Sequence, residues 1–152
     1  MSKKTSIILC TYNESKYIEN TINELKNNLS NLELVIVDDN SNDGTIDILK
    51  KTNLNNQYKT IFRKKSRSLA SAFVRGIVET TGDYIGWLDT NQGELASKFN
   101  EMAKELENGN DIVVLSRYIP GGGDERVAIR SLGSKYFNLF ARTILRLPIK
   151  DL

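Results

Sequence analysis

Three short segments gather the side chains able to do chemistry: Thr11-Tyr12-Asn13-Glu14, Asp38-Asp39-Asn40-Ser41-Asn42-Asp43-Gly44-Thr45 and Asp89-Thr90-Asn91-Gln92-Gly93-Glu94. Each begins where a hydrophobic run stops. Carboxylates, amides and hydroxyls so placed suit a hard divalent cation or a polar ligand rich in hydroxyl and N–H groups. If a nucleotide binds, a metal held by Asp89 is the natural counter-charge to its phosphates, and Asp39 is placed to accept hydrogen bonds from a base or ribose. The first loop has no G-x-G-x-x-G and the chain has no P-loop, so the phosphates are not expected on the first helix. Histidine is absent from all 152 residues. That excludes Ser-His-Asp and Cys-His nucleophiles, His-ligated zinc and histidine general bases.

The segments need elements to position them. Runs at Ser6–Cys10, Leu34–Val37, Thr60–Phe62, Tyr84–Leu88 and Ile112–Leu115 read as strands, mostly apolar throughout as in a buried parallel sheet. Between them lie helical periods: Ile18, Ile22, Leu25 and Leu29; Ile46 and Leu49; Ala70, Phe73, Val74 and Ile77; Leu95, Phe99, Met102, Ala103 and Leu106, capped by Gly109. A fifth helix is expected over Ile129–Arg146, stopped by Pro148. This alternation predicts an α/β fold, an open, mainly parallel, Rossmann-like sheet with helices on both faces, and a single domain over residues 1–152. In such sheets ligands bind at the carboxyl ends of the strands, where the three segments fall.

Composition narrows the options further. The single cysteine, Cys10, makes neither an internal disulfide nor a cysteine-rich metal site, and with no secretory signal a cytoplasmic setting is expected. Net charge is +2, too small for a nucleic-acid binder. The surplus is C-terminal: no acid lies between Glu125 and Asp151, while Arg126, Arg130, Lys135, Arg142, Arg146 and Lys150 do, as an anionic partner would require. Other features have simpler readings. Asp38, Asn40, Ser41 and Asp43 suit a strand-to-helix turn and cap. Arg63, Lys64, Lys65 and Arg67 read as a solvated turn.

Taken together, the segments Ile7 to Glu14, Glu33 to Thr45 and Gly82 to Asp89 resemble family 2 glycosyltransferases with the GT-A fold, in order and in spacing. Asp111-Ile112-Val113-Val114-Leu115-Ser116-Arg117-Tyr118, the glycines 121 to 123, and Arg130, Ser134 and Asn138 narrow the resemblance to the dolichol-phosphate mannosyltransferase type, the polyprenyl-phosphate sugar transferases. The resemblance implies that Thr11, Tyr12, Glu14, Asp38 and Asp39 bind the nucleotide, with Tyr12, Glu14 and Asp39 on base and ribose. It implies that Asp89 opens a Mg²⁺ or Mn²⁺ motif bridging the diphosphate, and that Arg117, Arg130 and Ser134 hold the acceptor phosphate. Asp89, Arg117 and Arg130 are then the catalytic set. Three departures stand out. Cys10 replaces a proline. Asp89-Thr90-Asn91 carries an amide where the motif has a second carboxylate, with Glu94 or Gln92 available to compensate. Relatives continue beyond the position of Leu152, so the C-terminal part of the catalytic domain is expected to be missing from this N-terminal, nucleotide-sugar-binding part.

The implied reaction is an inverting, metal-dependent transfer of mannose or glucose from GDP-mannose or UDP-glucose to a polyprenyl phosphate. The anionic acceptor needs no general base. A hydroxyl acceptor would need one, for which Glu94 is the candidate. An inactive nucleotide-sugar-binding module is the alternative from another class. The end of the fifth helix is expected on anionic membrane, making the protein peripheral at the cytoplasmic membrane face.

Overall fold

The computed structural model describes residues 3–53, 58–64 and 68–116. Strands β1 (Thr5–Thr11), β2 (Leu32–Asp38), β3 (Lys59–Phe62) and β4 (Tyr84–Trp87) form one sheet in the order β3-β2-β1-β4. All three pairings are parallel, with Ile8 opposite Val35 and Trp87, and Val37 opposite Ile61. Helix α1 (Ile18–Asn28) links β1 to β2, α2 (Thr45–Thr52) links β2 to β3, and α3 (Leu69–Ile77) links β3 to β4. After β4 come a 3₁₀-helix, Gly93–Lys98, and α4, Phe99–Glu107. The chain divides after Lys104 into two units, the first holding the whole sheet with α1 to α3.

Because strand side chains alternate between faces, the central strands feed two cores. On one face Ile7, Leu9, Leu34 and Ile36 meet Ile18, Ile22 and Leu25 of α1, Leu49 of α2, and Ala96 and Phe99 beyond β4. On the other, Val35 and Val37 meet Ala72 of α3. Each fully buried aliphatic side chain contributes roughly 1.5–3 kcal/mol relative to exposure. The expected helices on both faces of a parallel sheet are thus present, and so are the first four strands. Gly109, at φ +96°, ends α4 as expected: its N–H bonds the Leu106 carbonyl, and the Asn110 N–H reaches back to Glu105.

Two expectations are corrected. Ile112–Leu115 forms no strand; Ile112 is 71% exposed, Val114 47% and Leu115 42%. A strand is completed only by a neighbour that receives its ladder of hydrogen bonds, and among the described residues this run has none. In α3 the large apolar residues are not the buried stripe: Val74 is 59% exposed and Ile77 37%. The helix instead sits down on its small residues, Ala72 and Gly76, and Gly76 lies so close to Ile8 that a Cβ there would come within 2.6 Å of it. Phe73 is pushed sideways onto Trp87 of β4, ring centroids 5.7 Å apart. The fifth helix expected over residues 129–146 lies outside the described residues.

Candidate functional site

The carboxyl ends of β1, β2 and β4 surround an open cleft of about 270 Å³. Cys10, Thr11, Tyr12 and Glu14 line it from β1 and its loop, Asp39 from the end of β2, Leu69 and Ala72 from α3, and Asp89, Thr90 and Asn91 from the turn after β4. Six of the residues expected in the site, Thr11, Tyr12, Glu14, Asp39, Asp89 and Asn91, are therefore brought together. Asp38 is not on the cleft wall but wholly buried beneath it. Glu94 is exposed at the start of the 3₁₀-helix and does not line the cleft. Arg117, Arg130 and Ser134 lie outside the described residues.

The first two loops are laced together by polar side chains. Asp38 accepts hydrogen bonds from Thr11 Oγ1 (2.9 Å), Ser41 Oγ (2.6 Å) and the Ser41 N–H (3.0 Å). Ser41 Oγ in turn accepts the Asn13 N–H at 2.9 Å, Asn13 Oδ1 accepts the Asn42 N–H at 3.0 Å, and Thr45 Oγ1 accepts the Glu14 N–H at 2.9 Å. Asp43 accepts from Thr45 Oγ1 (2.6 Å) and the Ser15 N–H (3.0 Å), which hold its carboxyl well below the usual carboxylate range. These bonds satisfy backbone donors that a sharp turn would otherwise strand, and they fix Asn13 at φ +59°, between the cleft residues Tyr12 and Glu14. The turn-and-cap reading of Ser41 and Asp43 is thus extended: their partners include the neighbouring loop as well as their own.

Asp39 has a partner that the reading of Arg63 as part of a solvated turn misses. Arg63 Nε donates to Asp39 Oδ1 at 2.5 Å and Nη2 to Oδ2 at 2.7 Å, a two-pronged contact between side chains only 12% and 8% exposed. The same guanidinium donates through Nη1 to Ser71 Oγ at 2.9 Å and through Nη2 to the Ser68 carbonyl at 3.2 Å. Arg63 therefore fastens the end of β2 to the start of α3, the two walls that flank this side of the cleft. A signal for it was available, since Arg63 directly follows β3 and so lies at a strand's carboxyl end.

Electrostatically the acids of the cleft differ in their surroundings, Asp39 being paired with Arg63 and Asp89 having no ion pair among the described residues. The Asp89 carboxyl is pushed upward by desolvation, and among the described residues nothing donates to it. Glu14 is pushed upward by desolvation and by the neighbouring charges of Asp43 and Asp89. The Cys10 thiol rises to about 11, from burial and the charge of Asp39 with a smaller one from Asp89, against the pull of Arg63. It is a neutral wall, not a nucleophile. No group of three or more acidic or cysteine side chains is assembled into a metal cage among the described residues. Mg²⁺ and Mn²⁺ at nucleotide sites do not require a cage, because they keep waters and take phosphate oxygens beside one or two protein carboxylates. Asp89, with no donor to its carboxylate among the described residues, lines the cleft together with Asn91 and fits that kind of site.

A parallel sheet of this order carrying a polar cleft at its carboxyl ends defines an open α/β protein with its candidate site at the strand ends, and comparison places it more narrowly. The glycosyl transferase family 2 model matches residues 6–150. The chain belongs to that family. A dolichol-phosphate mannosyltransferase from Pyrococcus furiosus is 34% identical over 121 residues, covering 78% of this chain and 34% of its own length. A cholesterol galactosyltransferase from Borreliella burgdorferi is 24% identical over 116 residues, covering 76% of this chain and 32% of its own length. Among solved structures, a mannosyltransferase from Pyrobaculum calidifontis in complex with GDP-Man and Mn²⁺ superimposes with a TM-score of 0.55 at 22% identity, over 65% of this chain and 32% of its own. A glucosyl-3-phosphoglycerate synthase from Mycobacterium tuberculosis in complex with Mn²⁺, UDP and glucosyl-3-phosphoglycerate gives 0.54 at 20% identity, over 69% and 40%. The fold is GT-A. The chain spans about a third of the length of these curated relatives.

Proposed function

We propose that the protein transfers a hexose from a nucleotide diphosphate sugar, GDP-mannose or UDP-glucose, to a polyprenyl phosphate. The observation that carries this reading is the shared cleft, with Tyr12, Glu14 and Asp39 from the ends of β1 and β2 and, from the turn after β4, Asn91 and an Asp89 that is unpaired among the described residues. Tyr12, 42% exposed, offers its ring to a base. Asp39, oriented by Arg63, keeps lone pairs for an N–H or hydroxyl of the nucleoside. Asp38, beneath the wall, positions the loops. Mg²⁺ or Mn²⁺, bound by Asp89 and Asn91, would neutralise the departing diphosphate.

In the reaction an acceptor phosphate oxygen attacks the anomeric carbon as the bond from that carbon to the diphosphate breaks, with inversion and no proton transfer. Arg117, Arg130 and Ser134 are the groups proposed to hold that phosphate. A hydroxyl acceptor would need a base, and Glu94, the candidate for it, stands outside the cleft. The likeness to a dolichol-phosphate mannosyltransferase supports the lipid acceptor, and with such an acceptor the site of action would be a membrane surface; no helix among the described residues is long and apolar enough to cross one. Calorimetric titration with GDP and UDP, with and without Mn²⁺, tests the donor half, and transfer of labelled hexose to a polyprenyl phosphate tests the acceptor half. Binding of one nucleotide, tightened by Mn²⁺, is expected. No binding of either nucleotide under any metal condition refutes the reading.

A further inference from the structure

We propose that Thr21, on α1, is the positioning residue that sets the Asp89-Thr90-Asn91 turn in the cleft, an inference that rests on the glycosyl-transfer reading. Thr21 sits in the apolar stripe of its helix, among Ile18, Ile22 and Leu25, and is 1% exposed. A hydroxyl there loses its hydration and has to find a partner. The partner is the metal-side turn: Thr21 Oγ1 donates to the Thr90 carbonyl oxygen at 2.5 Å. Thr90 is the residue between the two proposed oxygen donors, so this bond pins the backbone midway between Asp89 and Asn91. A second contact acts three residues further on. Gly93 is buried against the same threonine, and a Cβ at Gly93 would lie 2.8 Å from Thr21 Oγ1 and 3.0 Å from its Cα. The turn is thus drawn onto α1 by a hydrogen bond and seated there by the absence of a side chain.

The placement matters for both sides of the cleft. Thr21 is in the first turn of α1, its N–H bonded to the Tyr17 carbonyl at 3.0 Å, and α1 begins only four residues after Glu14. The helix that receives the nucleoside loop therefore also carries the anchor of the metal-side turn. Nothing among the described residues holds the Asp89 carboxylate itself, so its location is set only by the backbone that bears it. A hard cation such as Mg²⁺ demands near-ideal ligand geometry, and shifting that backbone therefore falls on the metal-dependent part of nucleotide binding rather than on the nucleoside part.

The experiment uses the whole chain with Thr21→Val, which keeps the shape and leaves the Thr90 carbonyl without its donor, and Thr21→Ser, which keeps the hydroxyl. GDP and UDP affinities are measured with and without Mn²⁺, and amide hydrogen exchange is followed over residues 89–98. For Thr21→Val the tightening by Mn²⁺ is expected to shrink about tenfold, the size of one lost hydrogen bond, while metal-free nucleotide affinity is unchanged. Exchange over 89–98 rises in Thr21→Val, and Thr21→Ser restores both readouts. Gly93→Ala, which lifts the turn with the hydroxyl intact, reproduces the loss and serves if Thr21→Val does not fold. An unaltered Mn²⁺ response or unaltered exchange in Thr21→Val, or a Thr21→Ser variant as impaired as the valine, overturns the inference. A wild-type chain that binds no nucleotide, or binds it without regard to Mn²⁺, refutes the glycosyl-transfer reading instead, and the exchange data then decide separately whether Thr21 holds the turn.

Discussion

Replacing Arg63 by methionine removes the guanidinium while keeping most of the side-chain volume, and its cost follows from the contacts. Four hydrogen bonds disappear, two of them to a carboxylate at 2.5 and 2.7 Å. Charge-assisted bonds contribute about 1.5–3 kcal/mol each, but the pair has also lost most of its hydration. Removing one partner of a buried pair strands the other charge, at a cost of about 3–5 kcal/mol. Asp39, 6% exposed, becomes that charge, left with the Ser68 N–H at 3.3 Å as the one donor to its carboxylate among the described residues. Asp39→Asn alone leaves the guanidinium with partners at Ser68 and Ser71 and should cost roughly 1–3 kcal/mol. With both changes no charge remains buried, so the double variant should be more stable than the sum of the two losses predicts, with a coupling of roughly 2 kcal/mol. Urea unfolding of the four chains measures the cycle, and nucleotide titration of the same chains reports the effect on the cleft. Additive losses, or an Arg63→Met variant within about 0.5 kcal/mol of the parent, would refute the assignment of Arg63 as the clamp of this wall.

Asp89→Asn should abolish the Mn²⁺ response of nucleotide binding with the melting temperature unchanged, since nothing described donates to that carboxylate; a retained response places the metal elsewhere. Asn91→Asp restores paired carboxylates and should tighten Mn²⁺ in the presence of nucleotide, whereas no gain combined with loss in Glu94→Gln would move the site to the later acid. At the opposite end of the sheet, burial would raise the Glu33 carboxyl, but hydrogen bonds from Ser6 Oγ, Lys4 Nζ and the N–H and Oγ1 of Thr81 outweigh it and hold the group at about 2. A carboxyl lowered on folding stabilises the protein above its unfolded value near 4.5, and that contribution is lost as pH falls from there toward 2. Acid unfolding should therefore shift to higher pH in the parent than in Glu33→Gln relative to each chain's own neutral stability, and parallel acid limbs would contradict it. Gly76→Ala should cost about 1–3 kcal/mol by forcing a Cβ into Ile8, and a neutral or stabilised variant would show that α3 can rise off the sheet.

The parts of this structure legible from sequence are those whose partners are many and generic. Ile7 to Leu9 and Val35 to Val37 are apolar throughout because both faces of the central strands are covered, and no other element accommodates such short runs at that spacing. Helix α1 announces itself because one broad stripe faces one core. Helix α3 is legible as a helix but its buried face is not, since close approach selects small residues: Ala72 and Gly76 carry no hydrophobic signal, whereas Phe73, Val74 and Ile77 carry a strong one and lie at the flank or in solvent. Ile112–Leu115 has the composition of a strand, but composition does not supply a neighbour. At the site, Asp39 and Asp89 were legible from position alone, at strand ends. The strand-end position of Arg63 was legible but its partner was not, and Thr21 carried no signal, because each acts on a residue distant in sequence, 24 positions away for Arg63 and 69 for Thr21.

Trp87 is the only tryptophan of the chain and is 44% exposed, two residues before Asp89. Its indole leans on Phe73, which neighbours the cleft residue Ala72 in α3. The protein thus carries an intrinsic fluorophore seated across the joint between β4, which leads into the Asp89 turn, and α3, which lines the cleft through Leu69 and Ala72. Its emission reads the spacing of those two elements without any added label, and a quencher in solution reads how far they part, so occupancy of the cleft becomes an optical quantity that can be followed in a stopped-flow cell on the timescale of binding itself.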